Sequence, residues 1–161
     1  MEQFDDSVIA DFLRRSYFAV DGLWFVRVEA EYSFDEALRL DEQIWRIMPK
    51  IQARKARELL GVGGRSLKDL IRCFGLKFAA EGYDYEVRWP SETEAEVLIL
   101  ACPWYAILQG AGRETIASAI ADAICTNEFT GWAKEFSEGI KFSLEEKMCA
   151  GQEKCLLRFR E

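Results

Sequence analysis

Helical periodicity in the first half and alternating periodicity in the second predict an α+β fold. In it, N-terminal helices pack on a mainly antiparallel sheet of about four strands that ends in a C-terminal β-hairpin. Three observations carry this. Apolar residues recur every three or four positions as far as Phe78; beyond Gly82 the period falls to two; and the elements run helices, two strands, helices, two strands. The 161 residues fit one domain, 1–161, with a helical part over 1–80 and a sheet and cysteine-bearing part over 83–161.

Ser7 can cap a helix carrying Val8, Ile9, Phe12, Leu13, Tyr17, Val20, Leu23, Trp24 and Val28. Ser33 with Glu36 forms a capping box for a second helix through Ala37, Leu38, Ile44, Trp45 and Met48. Pro49 either opens a new helix or kinks this one, and the stretch stops at Leu60-Gly61. A third helix places Leu67, Leu70, Ile71, Phe74 and Phe78 on one face. Tyr83, Tyr85, Val87 and Trp89 then alternate with charged residues as a strand, and Ser91 to Glu94 turns. Val97 to Cys102 is apolar on both faces, as an inner strand should be.

Ile116 to Ile124 reads as an amphipathic helix ending at Cys125, and Thr126 as the cap of a further helix with Phe129, Trp132, Ala133 and Phe136 inward. Ile140, Phe142 and Leu144 alternate into the last hairpin, which turns at Ala150-Gly151-Gln152 and returns through Cys155, Leu157 and Phe159. Counting by twos sends Cys149 to the polar face and Cys155 to the core face. One extra residue near Glu145-Glu146, a β-bulge, would reconcile the two strands.

The net charge of −7 opposes a nucleic acid or an acidic membrane as partner, since both need a basic surface. The start of the chain lacks the basic-then-apolar order of a signal peptide, and no apolar run approaches the roughly 20 residues that span a bilayer. A cytoplasmic location follows, and five cysteines without a tight CxxC suit its reducing conditions.

There is no histidine. Acid–base chemistry therefore falls to Asp, Glu, Lys, Tyr or Cys, and any metal to thiolates and carboxylates. Cys102 ends the inner strand before Pro103, Cys125 ends a helix, and Cys149 and Cys155 flank the hairpin turn. Loops converge at such places, so the four thiols could form a site for zinc or an iron–sulfur cluster. The alternatives are a redox or nucleophilic thiol and simple packing of small semi-buried side chains. Asp21, alone in the apolar run Phe18 to Phe25, is either paired with Arg54 or Arg113, raised in pKa, or turned to water. Arg113 could clamp a carboxylate, Glu128 sits where a helix N-terminus favours it, and Trp24, Trp45, Trp104 and Trp132 could wall a ligand pocket or fill the core.

The stretches Tyr17 to Phe25, Lys50 to Arg54, Cys102-Pro103-Trp104, Gly112-Arg113-Glu114, Cys125, Trp132 to Phe136 and Cys149-Ala150-Gly151 with Cys155 resemble an uncharacterised bacterial and archaeal family. The ending also resembles two groups, the L-2-amino-thiazoline-4-carboxylic acid hydrolase group and the 4-vinyl-reductase-type small-molecule-binding domain. These resemblances imply an α+β domain with a ligand pocket between helices and sheet and a metal-binding cysteine site at its rim. The leading expectation is thus a small-molecule-binding domain with a thiolate site at Cys102, Cys125, Cys149 and Cys155. One alternative is a small hydrolase of carboxylated heterocycles, with Arg113 holding the substrate and Asp21 or Glu128 activating water. The other is an interaction or dimerisation module, a homodimer included, which predicts an exposed apolar patch on the N-terminal helices.

Overall fold

The computed structural model describes residues 3–161. Helix α1 spans Asp6–Glu31, α2 Phe34–Trp45, α3 Met48–Leu60 and α4 Leu67–Glu81. Strands β1 (Asp84–Ser91) and β2 (Glu94–Ala101) lead into α5 (Pro103–Gly110), a 3-10 turn and α6 (Ala117–Phe136), and β3 (Lys141–Glu146) with β4 (Cys155–Arg160) forms the last hairpin. The sheet order is β1-β2-β4-β3 with every neighbouring pair antiparallel, so the α+β expectation holds. The chain divides into two compact units, Met1–Asp41 and Glu42–Glu161.

Local chemistry sets most boundaries. Asp5, not Ser7, holds the extended N-cap position of α1, and Asp6 stands in its first turn where the helix dipole favours a carboxylate. Ser33 Oγ accepts the Glu36 N–H at 3.2 Å, but the Glu36 carboxylate turns to Arg39, so only half of that capping box forms. The complete box is at α4, where Ser66 and Asp69 satisfy each other's backbone N–H groups. Pro49 opens α3, and Gly61 and Gly82 end α3 and α4 with φ of 61° and 80°, in the left-handed region that glycine tolerates.

Two expectations are corrected. Pro103 does more than end a strand: it opens α5, a position whose missing N–H and fixed φ suit proline. And α6 runs unbroken through Cys125 and Thr126. Its apolar residues keep one face throughout, and the Asn127 amide donates back to the Ala123 carbonyl and across to Glu42 Oε1 instead of ending the helix.

Within the unit Glu42–Glu161, α4 and α6 cover one face of the sheet and α3 packs against both helices. Phe74 of α4 stacks on Trp132 of α6 at 4.7 Å and meets Phe159 of β4 at 5.4 Å, while Phe129 meets Phe142 of β3. Strand β2 is central, with Val97, Leu98 and Ile99 all buried. On the opposite face Arg158 binds Glu94, Glu96 and Glu145. The parity conflict in the hairpin resolves as expected: Leu144 faces Leu157 and Glu146 faces Leu156, so Glu145 is the extra residue of a bulge.

Helices α3 and α6 approach most tightly at Gly131, where a Cβ would lie 3.1 Å from Pro49 Cβ. Gly131→Val should therefore cost about 1–3 kcal/mol through overpacking, read as a lowered urea midpoint with an unchanged m-value.

Candidate functional site

The most unusual chemistry in the larger unit is a buried cluster of charge. Lys77 and Glu81 lie one turn apart near the end of α4, and Glu128 faces them from the middle of α6. Only about 5% of each residue is exposed. Lys77 Nζ stands 2.9 Å from both carboxylates. It donates a hydrogen bond to Glu81, which also accepts the indole N–H of Trp104 at 3.0 Å and the Gln52 amide at 3.5 Å. The ammonium further lies 5.1 Å from the Tyr83 ring centroid and 5.7 Å from that of Phe78. α3, α4, α5 and α6 thus all meet at one cation.

Burial alone would pull the Lys77 pKa down, but Glu128 and Glu81 outweigh it and hold the ammonium charged well above its ordinary range. Glu128 moves the other way from most paired acids. Desolvation raises it, Lys77 offsets part of that, and the neighbouring Glu81 charge adds to the rise. One ammonium against two carboxylates leaves the cluster a proton short of neutrality when both acids ionise.

The four cysteines gather beside this cluster. Cys125 precedes Glu128 by three residues on α6 and lies within electrostatic reach of Cys102, Cys149 and Cys155. Cys102, at the N-cap of α5, receives the Tyr83 hydroxyl and faces the backbone N–H groups of Tyr105 and Trp104. The Met148 N–H donates to Cys155 Sγ at 3.4 Å. Burial nevertheless raises all four thiols, Cys155 to about 11 and Cys125 well above its ordinary range. That direction favours the thiol form, and nucleophilic attack needs the thiolate. Among the described residues no group of three or more His, Cys, Asp or Glu is placed to hold a metal ion. The metal-binding reading is corrected accordingly.

The other predicted residues have varied fates. Trp45 is buried and meets Trp104 edge-on at 5.8 Å, and Trp132 is fully buried in the aromatic core. Trp24 is 37% exposed on α1. Asp21 is half-buried on α1, and Arg54, one partner expected for it, instead grips Glu135 bidentately at 2.8 and 2.9 Å. Arg113 precedes the 3-10 turn Glu114–Ile116. An open depression of about 510 Å³ is lined by Lys68, Trp89, Ser91 and Glu92, none of them a predicted ligand residue. Sequence reading missed Lys77, Glu81 and Tyr83. The available signal was a lysine and a glutamate one turn apart, on the apolar face led by Leu70, Phe74 and Phe78.

With the fold and its buried cluster in view, the class of protein can be stated: the chain belongs to a family of unknown function, DUF6125, whose model matches residues 4–146. That match ends before the turn that carries Cys149 and Cys155, and the likeness to the thiazoline hydrolase and vinyl reductase groups is not shown. No curated protein matches the chain. Among solved structures it is similar to a trafficking protein particle complex subunit 3 from Naegleria fowleri covalently bound to palmitic acid. Identity is 13%, the TM-score is 0.60, and 96% of each chain is covered. At that identity the likeness is one of fold, and the fold shared is that of a trafficking-complex subunit, so the expected small-molecule-binding domain is corrected.

Lys77→Met would leave two carboxylates buried without a cation and should cost about 3–5 kcal/mol. Glu128→Gln should stay within about 1 kcal/mol of the parent near neutral pH, because it removes the excess charge and keeps a polar group. A raised acid contributes stability fully below its unfolded value, near pH 4.5, and loses it as pH rises through the folded value. The stability of the parent should therefore decline above pH 4.5 more steeply than that of Glu128→Gln. The raised Lys77 adds a second decline, beginning only above pH 10.5. Urea unfolding across this range checks both slopes.

Proposed function

We propose that this chain is a protein-interaction module whose docking surface is α1. The observation that carries the reading is the exposed side of that helix. Val8, Ile9, Phe12, Leu13, Val20 and Leu23 are each 45–69% exposed, and Phe25 is the only residue of the 26 that is buried. Apolar residues scattered singly over a surface need no explanation, but a contiguous stripe on one helix marks a binding face. The likeness to a complex subunit supports the same reading at the level of fold.

No helix among the described residues is long and apolar enough to cross a membrane. The net charge of −7 opposes an acidic membrane as the cover for this apolar helix and supports a protein partner. Five free cysteines agree with a reducing, cytoplasmic setting for that assembly.

The test is the native size of the full chain in extract from cells that express it. The chain, 18.5 kDa alone, should migrate in a larger assembly. Phe12→Asp with Leu23→Asp should return it to monomer size while shifting stability by no more than about 0.5 kcal/mol, as surface changes do. Monomer migration of the parent, or an assembly that ignores the double variant, would overturn the reading.

A further inference from the structure

We propose that the partner of the α1 surface is a second copy of this chain, its α1 laid antiparallel to the first; this rests on the reading of α1 as the docking surface. The exposed side of the helix is not a diffuse patch. Ile9, Phe12, Ser16, Ala19, Leu23 and Val26 follow one another at alternating steps of three and four residues, and all six are exposed. That is the spacing of a coiled-coil seam, in which such residues face a partner helix along their whole length. From Ile9 to Val26 the seam covers seventeen steps of about 1.5 Å, or about 26 Å. The opposite side of α1 carries Asp11, Arg14, Tyr17, Phe18, Asp21, Gly22, Phe25 and Val28, every one of them at least half-buried. A helix apolar on both sides is one that is covered on both sides.

The order of side chains along the seam selects the occupant. It is close to a palindrome about its centre. Turned end for end, Phe12 falls opposite Leu23 of the second copy, Ile9 opposite Val26, and Ser16 opposite Ala19. The two smallest residues thus lie at the middle, where two helices crossing each other need the least bulk, and the large residues fill the space on either side.

Charge fixes the direction. On the flank beside the seam, positions Asp6, Leu13, Val20 and Arg27 recur every seven residues. In the antiparallel arrangement this flank meets its own copy, so Leu13 packs on Val20 and Asp6 faces Arg27, once at each end. Asp6 and Arg27 are both exposed and have no ion-pair partner within the described residues, whereas nearby Arg14 and Arg15 are already held by Asp11. A parallel pair would instead leave Arg27 beside Gly22 and would not bring Asp6 to Arg27. A heterologous partner has no reason to reproduce the palindrome.

The experiment is sedimentation equilibrium of the purified full chain, with Asp6→Lys, Arg27→Glu and their equimolar mixture. The parent should dimerise in the micromolar range. Each single reversal creates two like-charge contacts in its own homodimer and should weaken it about tenfold or more, whereas the mixture forms two good pairs in one heterodimer and should recover the parent affinity. Both positions are exposed, and a cooperative melt within a few degrees of the parent confirms that the variants fold. A parent that is monomeric throughout, while α1-dependent assembly persists in cell extract, overturns self-pairing and leaves the docking surface standing. A dimer that ignores both the charge reversals and Phe12→Asp overturns both. Weakened single variants with no recovery on mixing overturn the antiparallel arrangement.

Discussion

The larger unit is organised around one buried cation. Lys77 is a poor core residue by every transfer scale, and its charge is tolerable only because Glu81 and Glu128 stand at 2.9 Å on either side. That requirement fixes geometry that hydrophobic packing alone would leave loose. α4 must present Lys77 and Glu81 on the same face, α6 must place Glu128 in register with them, and α5 must begin where Trp104 can donate to Glu81. Apolar side chains such as Phe74 and Trp132 supply most of the driving force. They interdigitate closely, and the ion cluster adds a directional requirement to that packing.

Burial is the first cause of the raised thiols throughout, and the charge cluster acts on two of them in opposite directions. Glu128 adds to the rise at Cys125, whereas Lys77 opposes it at Cys102. The helix N-terminus at Cys102 and the Tyr83 hydroxyl oppose the shift without reversing it. A gathering of cysteines is therefore a different matter from a thiolate site. Their proximity comes from topology, their reactivity from the electrostatics around them.

Much of this fold was legible in the chain, for definite reasons. The change of period at Gly82 marks the passage from helix to strand, and the parity conflict between Leu144 and Cys155 demanded the bulge at Glu145. Errors came where a local signal competed with a longer one. Thr126-Asn127 looks like a helix start, yet the apolar face on both sides of it holds α6 together, and the polar side chain of Asn127 finds its partners without breaking the helix. Pro103 looks like a stop when it is also a start. Lys77 and Glu81 carry no local sign of their role, because the partner that completes the cluster, Glu128, is remote in sequence and follows Thr126-Asn127, where a first-turn acid is ordinary. A buried ion cluster spread over two helices has no signature in either helix alone.

The two units thus depart from ordinary amphipathic design in opposite directions. In Glu42–Glu161 charge is taken inside and paired within the same unit, Lys77 against Glu81 and Glu128, with one carboxylate in excess. In Met1–Asp41 apolar surface is left outside, on a helix whose other side already holds Phe25 and Phe18. Buried charge held by partners of its own unit bears on how that unit packs. Exposed apolar surface is the reverse case, since water meets it at a cost that the docking proposed at α1 would remove.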